Sequence, residues 1–484
     1  MAGSPAPVVT FSREHIDHTN TRVTYWNNYV RQPGPWEPTR RYYRRRLAEI
    51  YGFLIPPGLR VLELGCGPGD LLAALRPSYG LGIDFSEAAI QIARSKYPQL
   101  EFRQADVHDF ECTEKFDVIV CSDLVNELWD VQRVLSHVKR LSHGRTRLIL
   151  NSYSLLWEIP RRIAEKLKLA QPQMPQNWLT VEDLGNLLYL GGFEVIRASS
   201  EIMWPLWTPF WDRLCNRYLV KLWPFRWFGI TNFVIARPRP EPVNPEPVVS
   251  VVVPARNEAG NIQAVFDRLP QMGAGTELIF VEGHSSDNTY ATIERELENR
   301  QRPLTKLFRQ TGKGKGDAVR LGFANATGGV LMILDADLTV PPEDLPRFYE
   351  AWRSGQGEFI NGVRLVYPMQ ERAMRFFNMA GNKFFSLAFT WLLGQSIKDT
   401  LCGTKVLSKT DYERIAANRS YFGEIDPFGD FDLIFGAARL NLRIVDLPIR
   451  YRERTYGETN IQRWSHGALL LKMVLLAMRR IKFL

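Results

Sequence analysis

The sequence predicts an α/β protein with two doubly wound domains that are joined by a proline-rich linker. The 484 residues are too many for one hydrophobic core and suit two domains of ordinary size. Residues 237–247 contain five prolines, which neither continue a helix nor fit an inner strand, so we expect a polyproline II spacer of about 34 Å. On each side of this spacer, a buried-strand pattern begins afresh and runs into a loop typical of nucleotide sites. We therefore predict domains at 1–236 and 248–484, whose sites the linker keeps separate.

Composition and charge narrow the class of partners. The net charge of +9 favours anionic partners such as nucleotides, phosphates or lipid head groups, and no motif of a nucleic-acid-binding fold is present, so we expect no nucleic acid. The five cysteines lack the spacing of a zinc site or a disulfide framework, and their odd number favours a reducing compartment. No signal-peptide pattern is evident. The longest apolar runs reach about eleven residues, against about 20 for a spanning helix. We expect a cytoplasmic protein bound peripherally to the cytoplasmic face of a membrane.

Four strand patterns follow one another in the first half. Residues 60–64 form an apolar strand that runs into a glycine turn at 65–69. Glycine lets the backbone approach a ligand closely at the carboxyl edge of a parallel sheet. A second strand ends at Asp84, an acid placed to hold ribose hydroxyls, a third ends at 104–107, and a fourth covers 116–122. This order predicts a nucleotide-type cofactor at one sheet edge.

Over about residues 45–237, these motifs resemble the class I S-adenosylmethionine-dependent methyltransferases, which have a Rossmann-like fold. An NAD-binding domain is the alternative, but the sequence around the turn lacks the Gly-x-Gly-x-x-Gly spacing of that class. The resemblance implies that S-adenosyl-L-methionine is the cofactor. By it, the methionine part is surrounded by Glu63, Gly65 and Gly67, Asp84 takes the ribose, Asp106 lies near the adenine, and Asp123 lies beside the reacting centre.

The methyl acceptor is not predicted by the sequence. Asp123, Glu127 and His137 are candidate bases, and each also has a structural interpretation. The basic stretch at 40–46 begins a helix and is either a solvated face or an anion site. Residues 201–228 combine five tryptophans with basic residues. This segment fits either a bilayer interface or an insert that packs over the acceptor site or against the second domain.

The second half begins with a new set of strand patterns. Residues 247–258 form a buried strand and a loop, and residues 277–289 form the next strand and turn. A glycine-rich basic loop at 312–318 precedes a helix and suits phosphate. The apolar strand at 331–334 ends in two acids, Asp335 and Asp337. Residues two apart in a strand share a side, so both carboxylates are predicted to hold one hard cation, although strand-end capping is the structural alternative.

Together with residues 399–405, 431–432 and 454–460, these landmarks resemble family 2 glycosyltransferases of the GT-A fold, in the dolichyl-phosphate mannose or glucose synthase branch. The resemblance covers about residues 247–460 and implies an inverting transfer from a GDP- or UDP-linked sugar. It places Mg²⁺ or Mn²⁺ on Asp335 and Asp337. It lines the nucleotide-sugar pocket with Pro254, Arg256, Glu258, Glu282, Asp317, Asp335 and Arg364. It assigns phosphate contacts to Arg364, Arg375, Arg452 and Arg454, with Arg454 also at the reaction centre.

This half departs from the family pattern at two positions. Glu282 stands where many relatives have aspartate, which leaves the base of the nucleotide open. Thr339 stands where the lipid-sugar synthases often have a metal-binding glutamine, so water is expected to complete the metal coordination.

Two acceptor classes fit the second half. A hydroxyl acceptor needs a general base, for which Asp399 and Asp432 are the candidates. A lipid phosphate is already ionised and needs cations to position it, and we favour this polyprenyl-phosphate-type acceptor. The sequence thus predicts a bifunctional enzyme of methylated glycan or glycolipid synthesis. Its rivals are transfer to a glycan or glycolipid hydroxyl, and a peripheral membrane adaptor with one domain degenerate. Membrane contact is expected from residues 384–393, 468–484 and the tryptophan-rich segment.

Overall fold

A computed structural model divides the chain into two compact units, Met1–Arg239 and Pro240–Leu484. It describes residues 12–32, 34–300, 302–364, 376–419, 429–452, 454, 456 and 463–483. Each unit is built on one seven-stranded mixed sheet with helices. The predicted fold class, two α/β domains, is confirmed.

The first sheet has the strand order β3-β2-β1-β4-β5-β7-β6. Its strands are β1 (Arg60–Leu64), β2 (Tyr79–Asp84), β3 (Glu101–Gln104), β4 (Phe116–Ser122), β5 (Ser142–Tyr153), β6 (Phe193–Glu201) and β7 (Thr231–Pro238). Its helices are α1 (Arg13–Arg31), α2 (Glu37–Leu54), α3 (Asp70–Ala74), α4 (Glu87–Lys96), α5 (Val131–Arg140), α6 (Glu158–Lys166), α7 (Val181–Leu190) and the short α8 (Trp211–Arg213). Neighbouring strands from β3 to β5 are parallel, and β7 runs antiparallel to β5 and β6.

The register of the central strands positions the first site. Leu64 at the end of β1 pairs with Ile83 of β2 and with Cys121 of β4. The residues that follow these three strand ends, including Asp84 and Asp123, therefore lie along one edge of the sheet. Successive residues of a strand point to opposite faces. Leu62 and Leu64 accordingly pack into one core layer and Val61 into the other.

The helix α1 is not among the elements predicted from the sequence, because its residues are mostly polar. Its start is capped by Ser12, whose hydroxyl accepts a hydrogen bond from the backbone N–H of His15 at 3.2 Å. The helix carries few apolar residues, and its side-chain contacts with the rest of the unit, described below, stabilise it instead.

The second sheet has the order β10-β9-β8-β11-β13-β12-β14. Its strands are β8 (Val249–Ala255), β9 (Thr276–Glu282), β10 (Thr305–Arg309), β11 (Val330–Ile333), β12 (Phe359–Val363), β13 (Lys405–Ser408) and β14 (Ile444–Pro448). Its helices are α9 (Ile262–Arg268), α10 (Thr289–Arg300), α11 (Lys315–Ala324), α12 (Leu345–Arg353), α13 (Phe376–Leu393), α14 (Lys409–Ala417), α15 (Asp430–Arg439) and α16 (Arg463–Ala477). β13 is antiparallel to both of its neighbours. In the part of the chain that is described, no helix is both long and apolar enough to cross a bilayer.

The predicted linker at 237–247 begins later in the chain than expected, and part of it is hydrogen-bonded to a folded element. Arg237 and Pro238 end β7, and the Arg237 side chain is buried and paired with Glu194. Pro238 is tolerated because only β6 lies beside it: pairing of β7 with β5 stops at Ala236.

Further along the chain, the linker is hydrogen-bonded to α12 of the second unit. The N–H of Val243 donates to the carbonyl of Arg353 at 2.9 Å, and the hydroxyl of Tyr349 donates to Glu246 at 3.2 Å. Residues 243–246 are thus part of the second unit rather than an independent spacer.

Candidate active sites

The glycine turn after β1 is held in shape by Asp84. Gly65, Gly67 and Gly69 have φ angles of 72°, 50° and 79°, which other residues rarely adopt. One oxygen of Asp84 accepts the N–H of Gly67 at 2.8 Å, and its other oxygen accepts the N–H of Ser86 at 2.8 Å. A carboxylate has about four acceptor positions, so Asp84 keeps capacity for ribose hydroxyls.

Glu63 gives this edge an unpaired acceptor for a cofactor, and Gly67 gives it room. Glu63 is buried, which raises the pKa of its carboxyl group well above the usual range, and its Oε2 has no hydrogen-bond partner. An ammonium group would satisfy that orphaned acceptor. A Cβ added to Gly67 would meet no atom within 4 Å, whereas one on Gly65 would lie 2.9 Å from Leu124. The residues present therefore fit the methionine end of S-adenosyl-L-methionine.

Asp106 is tied to the helix α1 that sequence reasoning missed. The Thr19 hydroxyl of α1 donates to Asp106 Oδ2 at 3.3 Å, and Asp106 Oδ1 lies 2.6 Å from Nδ1 of His108. Farther along α1, Asn27 Oδ1 accepts bonds from the hydroxyl of Ser86 at 2.7 Å and the N–H of Ala88 at 3.2 Å. α1 therefore lies across the ends of β2 and β3, beside Asp84 and Asp106.

His15, Asp106 and His108 are, among the described residues, the only group of three His, Cys, Asp or Glu side chains close enough to hold a metal ion. Both ring nitrogens of His108 already have protein partners, since Nε2 accepts the N–H of Asp130 at 3.2 Å and Nδ1 faces Asp106. Burial lowers the pKa of His15, so this histidine is neutral near pH 7. The cluster holds α1 against the residues that follow β3, and we do not assign it to a metal.

Asp123 lies at the end of β4 in a buried polar cluster. Its φ angle is 53°, an unusual value for a residue other than glycine. Its Oδ1 accepts the hydroxyl of Tyr43 at 2.9 Å and the side-chain amide of Asn151, whose own oxygen accepts the hydroxyl of Tyr51 at 2.7 Å. Burial raises the pKa of Asp123 to about 6. Asp123 can therefore take up a proton near neutral pH.

Aromatic rings surround this carboxylate. The Tyr43 ring stacks on Tyr153 with centroids 6.3 Å apart, and Trp178 lies 6.5 Å from Tyr153. Sequence reasoning missed Tyr43, Asn151, Tyr153 and Trp178. The only available signal was the tyrosine pair inside the basic stretch at 40–46.

The other two candidate bases of the first unit have structural partners. Glu127 pairs with Arg22 of α1 at 3.0 Å and accepts a bond from Gln176 at 2.8 Å. His137 stacks on Phe110 and lies 3.2 Å from a guanidinium nitrogen of Arg140. These contacts favour structural roles for both residues.

In the second unit, Arg454 connects two of the predicted site residues. It lies 3.2 Å from Glu258 and 2.6 Å from Asp337. Glu258 is buried and also accepts a bond from Asn261 at 2.7 Å. Burial raises the pKa of Glu258 to about 7. Arg454 thus neutralises acids that would otherwise repel one another and the phosphates of a nucleotide.

The two acids of the predicted cation site lie beyond β11, which ends at Ile333. The positions of the two acids are therefore not set by strand alternation. They are set by a turn, in which the N–H of Leu338 donates to the carbonyl of Asp335 at 3.2 Å. Lys315 Nζ lies 2.5 Å from Asp335 Oδ1. Burial by itself would raise the pKa of Asp335, but the nearby charge of Lys315 lowers this pKa below its usual value.

Thr339 holds the second of these acids. Its N–H and hydroxyl donate to Asp337 Oδ1 at 3.1 and 2.8 Å. The residue that replaces the expected glutamine therefore orients a carboxylate. Two carboxylates from one short turn are the hard oxygen donors that Mg²⁺ and Mn²⁺ prefer, so the donor chemistry fits such a cation.

Four residues predicted for the nucleotide pocket lie on or next to β8 and β9, and a fifth, Asp317, lies in the first turn of α11. Pro254 belongs to β8, and the last residue of β8, Ala255, pairs with Glu282 at the end of β9. Arg256 and Glu258 follow β8 directly. Glu282 accepts the N–H of Ser285 at 2.6 Å, and Asp317 accepts the N–H of Gly312 at 3.2 Å. These two acids shape the turns that are expected to contact the nucleotide.

Asp399 and Arg364, which were predicted to act as a base and as a phosphate contact, form a buried pair. The guanidinium of Arg364 makes two hydrogen bonds to Asp399, at 2.7 and 2.9 Å. Asp399 also accepts the backbone N–H groups of Arg364 and Leu401. Although burial opposes it, the Arg364 charge lowers the pKa of Asp399. The ion pair favours a structural role for both residues, and the base function of Asp399 and the phosphate contact of Arg364 stay predictions.

Asp432 likewise faces arginines, Arg320 at 3.7 Å and Arg419 at 3.5 Å. Asp430, which sequence reasoning passed over, lies 3.6 Å from Lys405 Nζ and raises the pKa of Lys315. Of these two acids of α15, Asp430 is therefore the one that lies near Lys315, the partner of Asp335.

Of the remaining predicted phosphate contacts, Arg452 and Arg375, only Arg452 lies within the described residues. The N–H of Arg452 donates to the carbonyl of Thr339 at 3.0 Å, which brings Arg452 next to the Asp337 turn. Arg375 and residues 457–460 lie outside the described residues.

Comparisons with known proteins divide the chain in the same way. Residues 55–192 match a family model described as a methyltransferase domain, and residues 250–415 match the model of glycosyl transferase family 2. A dolichol-phosphate mannosyltransferase of Pyrococcus furiosus is 28% identical over 220 residues, which is 44% of this chain and 59% of its own length. The chain thus spans less than two thirds of this curated relative.

Two solved structures are similar to the first unit. An S-adenosylmethionine-dependent methyltransferase from Mesorhizobium loti is 21% identical, over 39% of this chain and 97% of its own, with a TM-score of 0.32. The magnesium protoporphyrin IX methyltransferase of Synechocystis is 19% identical, over 46% of this chain and 97% of its own, with a TM-score of 0.31.

Proposed function

We propose that this chain, which carries a methyltransferase domain and a family 2 glycosyltransferase domain, is a bifunctional enzyme of methylated glycan or glycolipid synthesis. The first unit transfers a methyl group from S-adenosyl-L-methionine. The second transfers a sugar from a GDP- or UDP-linked donor to a polyprenyl-phosphate-type lipid. The observation that carries the proposal is that the carboxyl edge of each sheet presents a glycine-containing loop together with acids, Asp84 in one and Asp335 with Asp337 in the other.

In the first unit, the chemistry resides in the cofactor, whose sulfonium supplies an electrophilic methyl group. Glu63 and the turn at 65–69 hold the methionine end, and Asp84 holds the ribose. Asp123, positioned by Tyr43 and Asn151, accepts the proton that the acceptor oxygen or nitrogen loses as it is methylated. The rings of Tyr153 and Trp178 position the acceptor.

In the second unit, Asp335 and Asp337 would hold Mg²⁺ or Mn²⁺, which neutralises the charge that develops on the departing nucleotide. Arg454 and Arg452 lie beside this pair and position phosphate groups. Both predicted bases are paired with arginines. This supports an acceptor that needs no base, a lipid phosphate, over a glycan or glycolipid hydroxyl.

Peripheral membrane binding is part of the proposal. α13 exposes Phe384 and Leu387, and α16 exposes Leu471 and Leu475. Lys482 Nζ lies 2.7 Å from the carbonyl of Trp391 in α13, which joins the carboxyl-terminal cations to that helix. Apolar side chains with nearby cations suit a head-group boundary.

The methyl half is tested by Asp84→Ala. Loss of a charge-assisted acceptor for the ribose should cost on the order of 1.5–3 kcal/mol, or about 10- to 150-fold in Kd measured by calorimetry with S-adenosyl-L-methionine. Asp70→Ala removes an acid of the same edge that faces Lys96 and Tyr97, and it should bind normally. Asp84→Asn keeps one carbonyl acceptor and is the second variant, for the case that Asp84→Ala does not fold. Unchanged affinity in both Asp84 variants contradicts the assignment.

The sugar half is tested by Asp337→Asn with nucleotide-sugar donors and a polyprenyl phosphate. Loss of charge at the cation site should lower turnover by a factor on the order of 100 or more, and excess EDTA should do the same to the wild type. Asp344→Asn, which removes an acid paired with Arg347, is the matched control. Undiminished turnover in the Asp337 variant and in EDTA would show that these carboxylates hold no cation.

A further inference from the structure

Two segments of the first unit expose an unusual amount of apolar surface. One is residues 155–169, which contain α6, and the other is residues 203–228; we call them together the aromatic face. The exposed fractions reach 70% at Ile159, 71% at Phe210 and 74% at Trp223. The indole N–H of Trp157 donates to the carbonyl of Phe228 at 3.2 Å, which joins the two segments. Exposed apolar clusters of this extent mark interaction surfaces.

The charge on the aromatic face is predominantly positive. The exposed charged side chains of its two segments are all cations, namely Arg162, Lys166, Lys168, Arg213 and Arg226. Its acids are half-buried, and two of them are paired within α6, Glu158 with Arg162 and Glu165 with Arg161. The partner of this surface is therefore apolar and anionic at once.

The aromatic face borders the methyl-acceptor cluster. Arg161 projects from α6 over the ring of Tyr153, 5.6 Å from its centroid. Tyr153 in turn stacks on Tyr43, whose hydroxyl donates to Asp123. In the other segment, the side-chain amide of Asn216 donates to the hydroxyl of Tyr42 at 3.0 Å. Both segments thus attach to the elements that hold Asp123.

We propose that the aromatic face docks the first unit on an anionic lipid surface. Tryptophan rings lie at the boundary between head groups and acyl chains, and arginine and lysine reach anionic head groups from there. A protein partner would need a matching acidic apolar surface, whereas an anionic bilayer offers both properties everywhere. As a consequence that rests on the proposed methyl transfer, an acceptor carried by a lipid reaches Asp123 without leaving the bilayer.

The test uses the full chain and vesicles of phosphatidylcholine with or without phosphatidylglycerol. Ile163→Cys and Trp223→Cys, one in each segment and both exposed, are labelled with an environment-sensitive nitrobenzoxadiazole fluorophore. Ile92→Cys is the matched control, because Ile92 is an exposed isoleucine on α4. The wild type, treated identically, gives the background of the native cysteines.

Labels at 163 and 223 are expected to shift their emission to shorter wavelength when phosphatidylglycerol vesicles are added, and less so at high salt or without the anionic lipid. The label at 92 stays unchanged. Two results overturn the proposal. In one, labels at 163 and 223 remain in water although the chain floats with the vesicles; in the other, they report an apolar environment before any lipid is present, as in a protein interface.

Calorimetry with S-adenosyl-L-methionine in vesicle-free buffer, on the labelled chains and on the unlabelled wild type, separates the two proposals. Normal cofactor binding with silent labels refutes the docking face alone. Absent cofactor binding in the unlabelled wild type refutes the methyl-transfer proposal, whatever the labels report.

Discussion

Asp123 combines an unusual backbone conformation with a buried carboxylate. A φ of 53° is tolerated by aspartate better than by most residues, and such strain persists where the surroundings enforce it. Tyr43, Tyr51 and Asn151 enforce it here through one connected set of hydrogen bonds. The cost of burying the charge shows in the pKa of about 6. A carboxylate in this state exchanges a proton close to the pH of the cell.

The stability of the first unit should therefore depend on pH through Asp123. Because burial raises its pKa, the stabilisation linked to protonated Asp123 is fully present below about pH 4 and lost as the pH rises through about 6. Asp123→Asn stays neutral and escapes this loss. Urea unfolding at a series of pH values should show the variant gaining stability relative to the wild type between pH 4 and 7. A stability difference independent of pH would contradict the raised pKa.

At the scale of single residues, local patterns predicted the glycine turn and Asp84 at one edge of the sheet, where the structure has them. A methyltransferase domain and a family 2 glycosyltransferase domain were predicted from such patterns, and family models of these two domains match residues 55–192 and 250–415. The glycine turn and Asp84 belong to short motifs whose spacing fixes their geometry. Tyr43 and Tyr153 come from α2 and the end of β5, and only the tertiary fold brings them together. No spacing rule in a single sequence links such residues.

Among the elements, α1 shows why a mostly polar helix is missed in the sequence. Its helical pattern is weak, and its position depends on Thr19, Arg22 and Asn27, which bind groups far along the chain. Likewise, Asp399 reads as a free acid in the sequence, and only the fold places Arg364 against it. Tertiary partners decide both cases, whereas the buried central strands β1, β2, β4, β8, β9 and β11 follow from apolar runs in the sequence.

α16 provides a prediction for the membrane-binding part of the proposal. Leu470, Met473 and Val474 are buried, whereas Leu471 and Leu475 are about half exposed. The double variant Leu471→Glu/Leu475→Glu should keep the fold and float less with phosphatidylglycerol vesicles, because two apolar side chains become anionic. Leu304→Glu, at an exposed leucine before β10, is the control and should float like the wild type. Equal flotation of all three proteins would exclude α16 from lipid contact.

For the whole molecule, each sheet is completed within its own unit. β7 ends at Pro238, and Val243 is already bonded to α12 of the second unit. The stretch from Arg239 to Glu241 is therefore the place where the chain passes from one unit to the other.

Cleavage at a protease site inserted between Arg239 and Pro240 should leave two folded fragments. The amino-terminal fragment should bind S-adenosyl-L-methionine, and the carboxyl-terminal fragment should turn over nucleotide sugar, because the residues of each site lie within one unit. Calorimetry and donor-turnover assays on the separated fragments measure this. Aggregation of both fragments, or loss of both activities, would mean that the units share a core.

The open space at Gly67 has a genetic consequence. A Cβ there would meet no protein atom within 4 Å, and asparagine adopts the left-handed conformation of Gly67 more readily than most other residues with a side chain. A Gly67→Asn allele should therefore encode a folded, normally abundant chain that excludes the cofactor. Cells carrying it would lose methylation and retain sugar transfer. Such a separation-of-function allele would assign each phenotype of a gene deletion to one of the two activities.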